Sequence, residues 1–236
     1  MNPKLLEQCS IVGKKGITQL IGKTVTIIGI GGVGTTLAQI LARNGVNLRI
    51  VDKDRIYDYE MPRMTVYHNE DVGKFKAKQM KKRLEEMTSD VKIKTFHEDL
   101  NESNLFLLDS DLIIDTSNNL ETSLLINKYA VENKIPLLFC NYSGRKGNII
   151  IIDKATNPEN PCLECIKEEL IMPDFKEVGV YSPLTTFLAG LTASMIIKNL
   201  LGEENEQDLH QINIIKTRIT HKKVKAKKTC PICKRK

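Results

Sequence analysis

Residues 25–34 read Val-Thr-Ile-Ile-Gly-Ile-Gly-Gly-Val-Gly, and this stretch decides the fold. Val25 to Ile30 is a short, β-branched apolar run, the pattern of a strand buried on both faces of a parallel sheet. The glycines at 29, 31, 32 and 34 then lead into Val33 to Asn44. There Leu37, Ile40 and Leu41 recur at helical spacing and Gly45 supplies a stop. Val46 to Val51 is a second strand, closed by Asp52. A strand, helix and strand in about thirty residues make a right-handed β-α-β unit with two parallel neighbours.

The alternation continues outward. Lys74 to Glu86 reads as a basic helix with Phe75, Met80, Leu84 and Met87 on its less polar side. Lys92 to Phe96 and Asp111 to Asp115 read as strands, Leu120 to Asn133 as a helix, Ile135 to Cys140 as a strand, and a later strand starts at Gly147. Ser182-Pro183 looks like an N-cap and first-turn pair opening a helix that runs to Leu201, stopped by Gly202. Gln211 to Ile219 reads as one final strand. The class is α/β: a mostly parallel, Rossmann-like sheet with flanking helices.

With 236 residues, 41% hydrophobic and 27% charged, the chain can build a full core and is neither disordered nor collagen-like. Aromatics at 5% and the absence of Trp argue against a stacking surface for single-stranded nucleic acid. The net charge of +6 is local: ten of the 35 lysines and arginines fall in Lys216 to Lys236, which has no acidic residue, so the remaining chain is net negative. The tail reads as a solvated end. No secretory signal or membrane span is visible, which gives the expectation of a soluble cytoplasmic protein whose six cysteines are ligands or free thiols.

The glycine turn has a mechanism in this context. Glycines let the backbone approach a phosphate, and the helix N-terminus presents free N–H groups and the positive end of its dipole. Asp52, at the tip of the next strand, is placed to hydrogen-bond a ribose hydroxyl. The motif leaves NAD, FAD and ATP open, and a turn needed only for close helix–strand packing is the alternative. Cys162-Leu-Glu-Cys165 and Cys230-Pro-Ile-Cys233 are two paired-thiol knuckles suited to a tetrahedral, structural zinc ion. Cys140 ends an apolar strand and reads as a buried thiol rather than a nucleophile.

A GxGGxG turn, an acid ending the next strand, a basic helix and two late CxxC pairs together resemble the E1-like adenylyltransferases, the ThiF/MoeB/HesA group, from about Ile11 to Cys233. The resemblance implies one adenylation domain over 1–236, comprising an N-terminal arm (1–22), a nucleotide-binding core (23–153), and a knuckle, crossover segment, helix, final strand and basic tail (154–236). It implies ATP on Gly29, Gly31, Gly32 and Gly34, its ribose on Asp52, and adenylation of a carboxylate with release of pyrophosphate. The family default substrate is the C-terminal glycine of a ubiquitin-like sulfur carrier. Asp54, Arg63, Lys76 and Asp115 match further nucleotide-binding positions, and Arg63, Lys76 and Asn118 the catalytic ones. Fixed cations there would stabilise the charge that builds when a carboxylate attacks the α-phosphate. Mg²⁺ and a homodimer are implied as well, the latter through Ser182 to Leu201 with its small residues Ala189, Gly190, Ala193 and Ser194.

The chain departs from the family pattern at several points. The Mg²⁺-assisting aspartate is Asn118, within Asp115-Thr-Ser-Asn118-Asn119. Glu60 stands for an asparagine and Met64 for a glutamine. Asn2 to Cys9 holds no arginine to reach a partner subunit, and the crossover cysteine falls at about Phe175. These departures point to a specialised branch. One alternative is a small-molecule carboxylate as substrate, as for the E1-like enzyme of methanogen iron-guanylylpyridinol cofactor synthesis; another is a non-catalytic nucleotide-binding subunit. An NAD-dependent oxidoreductase is the third class, for which the scattered His68, His97, His210 and His221 offer no proton relay.

Overall fold

The structure is a computed structural model of the chain, described for residues 5–170, 179–203 and 205–233. One eight-stranded sheet has the order β3-β2-β1-β4-β5-β6-β7-β8. Its strands are β1 (Thr24–Ile28), β2 (Asn47–Val51), β3 (Ile93–Phe96), β4 (Leu112–Asp115), β5 (Leu137–Ser143), β6 (Lys146–Ile152), β7 (Leu209–Asn213) and β8 (Arg218–Lys222). The first five pair in parallel and the last three join as an antiparallel extension. The α/β, Rossmann-like expectation therefore holds. β1 buries Val25 and Ile27 toward one face and Ile28 toward the other, with the β-branched Thr26 buried among them.

Helices α1 (Leu6–Ile21), α2 (Gly32–Arg43), α3 (Lys76–Met87) and α6 (Ser182–Leu200) cover one face. Helix α4 (Leu120–Asn133), the short α5 (Leu163–Ile166) and the cysteine cluster cover the other. Each fully buried Leu, Ile or Val contributes about 1.5–3 kcal/mol relative to exposure, and the two clusters hold most of the large apolar side chains.

Two expectations need correction. Gln211 to Ile219 is not one strand but most of the β7–β8 hairpin, because Thr217 takes a left-handed φ of 46° and turns the chain. Ser182 lies inside the first turn of α6, whose N-cap is Tyr181. Within the N-terminal arm, Leu6–Ile21 form α1, kinked at Gly13 (φ 74°, ψ 165°) and burying Ile17 and Leu20. Position 175 lies outside the described residues.

The segment between β2 and α3 is fastened at several points. Ile56 N–H donates to Lys74 O at 2.9 Å, Gly73 N–H to Ile56 O at 2.8 Å and Lys76 N–H to Asp54 O at 2.9 Å. Asp71, fully buried, accepts from His68 N–H at 3.0 Å and from Arg83 Nε and Nη2 at 3.0 and 2.7 Å. This anchors the segment to α3 and fixes where Lys76 emerges.

Candidate active site

Strand order reverses between β1 and β4, and the carboxyl ends of β1, β2 and β4 converge there, where open α/β sheets bind ligands. A cavity of about 280 Å³ opens at this point, lined among others by Gly29, Asp52, Asp54, Leu100, Ser117 and Asn118. Two larger clefts, about 510 and 420 Å³, lie at the opposite end of the sheet, around Asp111 and the starts of β1 and β2, away from every residue the sequence singled out.

Gly29 adopts φ +89°, and a Cβ on it would sit 2.8 Å from Thr116 O. A Cβ on Gly34 would lie 2.1 Å from Gly29 O, so α2 rests directly on the turn. A Cβ on Gly32 would meet Thr185 of α6 at 2.9 Å; the missing side chain there serves helix packing. Only at Gly31 does the space face the site, with the Tyr142 hydroxyl 3.6 Å away. The N-cap of α2 makes no side-chain hydrogen bond and its first turn holds no acidic residue, so its N–H groups and positive dipole end are left to a ligand.

Asp52 Oδ2 accepts from Ile30 N–H and Oδ1 from Asp54 N–H, both at 2.7 Å. Burial pushes its carboxyl above the usual value, partly offset by those two N–H groups. Each oxygen keeps a lone pair for a hydroxyl donor. Lys76 is only 4% exposed, so it is not an ordinary surface charge. Its Nζ lies 3.0 Å from Glu60 Oε1 and 3.9 Å from Asp54 Oδ2. Arg63 Nη2 meets the same Glu60 oxygen at 2.8 Å, while Arg63 Nε is buried without a hydrogen-bond partner.

Asn118 lines the cavity in a left-handed conformation, φ 57°, which asparagine tolerates. Its Oδ1 accepts from Tyr142 N–H at 3.0 Å. Asp115 is set back from the cavity: it is 1% exposed, and its Oδ1 accepts from Ser117 N–H and Oγ at 3.0 and 2.7 Å. Its Oδ2 is buried without a partner, and burial raises its pKa. The structure thus gathers Gly29, Asp52, Asp54 and Asn118 around the cavity, joins Asp54 to Glu60, Arg63 and Lys76 in an adjoining ionic cluster, and leaves Asp115 behind the wall.

Three contributors escaped the sequence reading. Thr116 Oγ1 donates to Gly29 O at 2.7 Å, tying β4 to the turn. Tyr142 holds Asn118 and brings its hydroxyl beside Arg63; burial raises that hydroxyl's pKa and Arg63 draws it back. Glu60 stands in the sequence only as a departure, with Arg63 three residues on; its contact with Lys76, sixteen residues away, exists only in the fold. Thr116 gave none.

On the opposite face the four cysteine Sγ atoms of 162, 165, 230 and 233 lie within 4.8 Å of one another. Contacts of 3.9, 3.6 and 3.4 Å bracket the roughly 3.8 Å between ligands of a tetrahedral zinc with 2.3 Å bonds. Lys227 N–H donates to Cys165 Sγ at 3.4 Å, and Leu163 N–H to Asn127 Oδ1 of α4 at 2.8 Å. The donor set fits zinc, held closed with no position for water. Cys140 is buried, and burial pushes its thiol up to about 12. Among the described residues no helix is long and apolar enough to cross a membrane.

A family profile described as the ThiF family matches residues 5–233. The chain is 30% identical over 231 residues to the sulfur carrier protein ThiS adenylyltransferase of Bacillus subtilis, covering 94% of this chain and 68% of that protein. It is 28% identical over 233 residues to the sulfur carrier protein adenylyltransferase of Thermus thermophilus, covering 94% and 86%. Among solved structures it is similar to Escherichia coli MccB with MccA-N7isoASN (TM-score 0.85, 19% identity, 100% of this chain and 75% of that one). It is also similar to MccB with ATP (TM-score 0.79, 21% identity, 92% and 68%).

Proposed function

The chain belongs to the ThiF family of adenylyltransferases, and from that premise we propose that it activates a carboxylate by attack on the α-phosphate of ATP at the β1–β4 crevice. The products are an acyl-adenylate and pyrophosphate. The observation that carries this reading is the pairing of an uncapped α2 N-terminus, free of acidic residues, with two cations, Arg63 and Lys76, fixed by one buried carboxylate beside Asp52.

The protein's part is placement and charge. Gly31 and the N–H groups of α2 receive phosphate oxygens; Asp52 takes the ribose hydroxyls; Arg63 and Lys76 lie where negative charge gathers as pyrophosphate departs. No general base is required, since a carboxylate is ionised at pH 7. A magnesium ion would neutralise phosphate charge. With Asn118 Oδ1 already accepting from Tyr142 and Asp115 walled off, half-exposed Asp54 is the carboxylate best placed to meet it. The zinc ion on the cysteines is structural.

The acyl substrate is the C-terminal glycine of a ubiquitin-like sulfur carrier, by analogy with the Bacillus and Thermus relatives. The charge arrangement at Glu60 and Asn118 favours a second reading, a small-molecule carboxylate such as a pyridinol acid. A homodimer in the cytoplasm completes the proposal. Radiolabelled pyrophosphate–ATP exchange, run with a glycine-ended carrier and with a pyridinol carboxylate, tests it: exchange with either supports the reaction and selects the substrate class. Calorimetric binding of NAD in preference to ATP overturns it.

A further inference from the structure

The ionic cluster holds a residue with a task that the reaction alone does not assign. Glu60 is 6% exposed and sits in a tight turn, Asp58–Arg63, stiffened by Pro62. Its backbone N–H donates to Tyr57 O at 3.0 Å, and its Oε2 accepts from Tyr57 N–H at 3.4 Å, so the carboxylate is gripped from its own turn. The other oxygen, Oε1, receives Lys76 Nζ at 3.0 Å and Arg63 Nη2 at 2.8 Å. Two cations that arrive from different segments are thereby near neighbours, sharing one acceptor atom.

Like charges so close separate unless a counter-charge holds them, and a fixed carboxylate does so at the cost of cancelling part of their field. On the triphosphate reading of this site, which the present inference rests on, both effects bear on the ligand. Arg63 and Lys76 are held as a pair, but Glu60 cancels about one unit of their combined charge, and Asp54, 3.9 Å from Lys76, draws on the same cation.

We infer that Glu60 is a specificity-determining residue of the nucleotide site: its carboxylate, shared by Arg63 and Lys76, tempers their joint field and sets how strongly the site responds to each added phosphate. It is a group acting through the two cations, not one that touches the reacting atoms. Asn118 cannot take this part, because its amide is neutral and its oxygen is committed to Tyr142 N–H.

Calorimetric titration of the full chain with AMP, ADP and ATP, for wild type, Glu60→Gln and Glu60→Asp, tests the inference, with melting temperature recorded for each. Glu60→Gln removes the opposing charge, so its gain in affinity over wild type should grow along the series, staying under twofold for AMP and reaching fivefold or more for ATP. Glu60→Asp keeps the charge but is one methylene too short to serve both cations, so it should fall between the two. Equal shifts for all three nucleotides, or a loss for ATP that tracks a lowered melting temperature, mark a purely structural residue and overturn the inference. If Glu60→Gln does not fold, Glu60→Asp decides alone: an ATP-to-AMP preference equal to wild type overturns it. Failure of the underlying nucleotide reading looks different, since wild type itself would then bind none of the three.

Discussion

The glycines of the turn divide between fold and ligand, and paired substitutions separate the two. A Cβ placed on Gly34 lies 2.1 Å from Gly29 O, where an ordinary contact starts at 3.4 Å, so helix and turn must part by about 1.3 Å. The obstruction is backbone and cannot swing aside. Overpacking of this kind costs about 1–3 kcal/mol, and more when main chain moves. For a domain of this length each kcal/mol lowers Tm by about 2–4 °C, so Gly34→Ala should melt about 2–12 °C below wild type by circular dichroism. Gly31 has an extended backbone and its nearest neighbour to a Cβ is the Tyr142 hydroxyl at 3.6 Å. Gly31→Ala should therefore keep its stability to within about 1 kcal/mol, because no contact is violated, and should lose ATP affinity tenfold or more, because the methyl occupies the phosphate approach. If Gly34→Ala melts with wild type, or if Gly31→Ala binds ATP normally, the division of roles is wrong.

Other outcomes follow from the same geometry. Lys76→Met should lower pyrophosphate–ATP exchange by about two orders of magnitude or more, the usual loss for a fixed charge-stabilising donor, with the fold intact by circular dichroism. Arg83→Met strands the buried carboxylate of Asp71 and should cost about 3–5 kcal/mol in urea unfolding. Burial pushes Asp71 up, but His68 N–H and Arg83 outweigh it and hold the group below its usual value. The resulting stability is present above about pH 4 and lost as pH falls through the lower folded-state value, and Arg83→Met should flatten that acid limb. Cys230→Ser should abolish stoichiometric zinc measured by a chromogenic chelator. Iodoacetamide at pH 8 should spare Cys140, whose thiol is raised to about 12, and label the half-exposed Cys9 in the native protein.

The parallel core was legible because its strands are buried on both faces and so carry β-branched and apolar runs; Val25 to Ile28, with Thr26 the one polar residue, and Leu112 to Ile114 admit little else. The cysteine cluster was legible because two knuckles at this spacing serve few other ends, although no local pattern announces that Cys162 and Cys230, 68 residues apart, meet at 3.6 Å. The end of the chain misled because Gln211 to Ile219 has β-branched residues on both sides of a turn carried by Thr217, a residue with no preference for the left-handed region. In the site, Asp52, Lys76 and Asp115 were placed by motif, and the structure adds that Asp115 Oδ1 accepts from Ser117, a contact the motif does not announce. Thr116 and Tyr142 act through long-range contacts to Gly29 and Asn118, which exist only once β4 and β5 are laid beside β1.

Helix α6 lies inside the loop that the cysteines close, and its Thr185 is the neighbour that Gly32 of the nucleotide helix rests against. A metal held by these cysteines on the far side of the sheet would therefore tie down the strap that backs the glycine turn. By the loop-entropy relation for cross-links, a ring of this size is worth about 4 kcal/mol. Oxidants or chelators that strip the thiolates would slacken that lasso, and the enzyme's grip on its nucleotide would fail from behind, with every residue of the crevice still chemically whole.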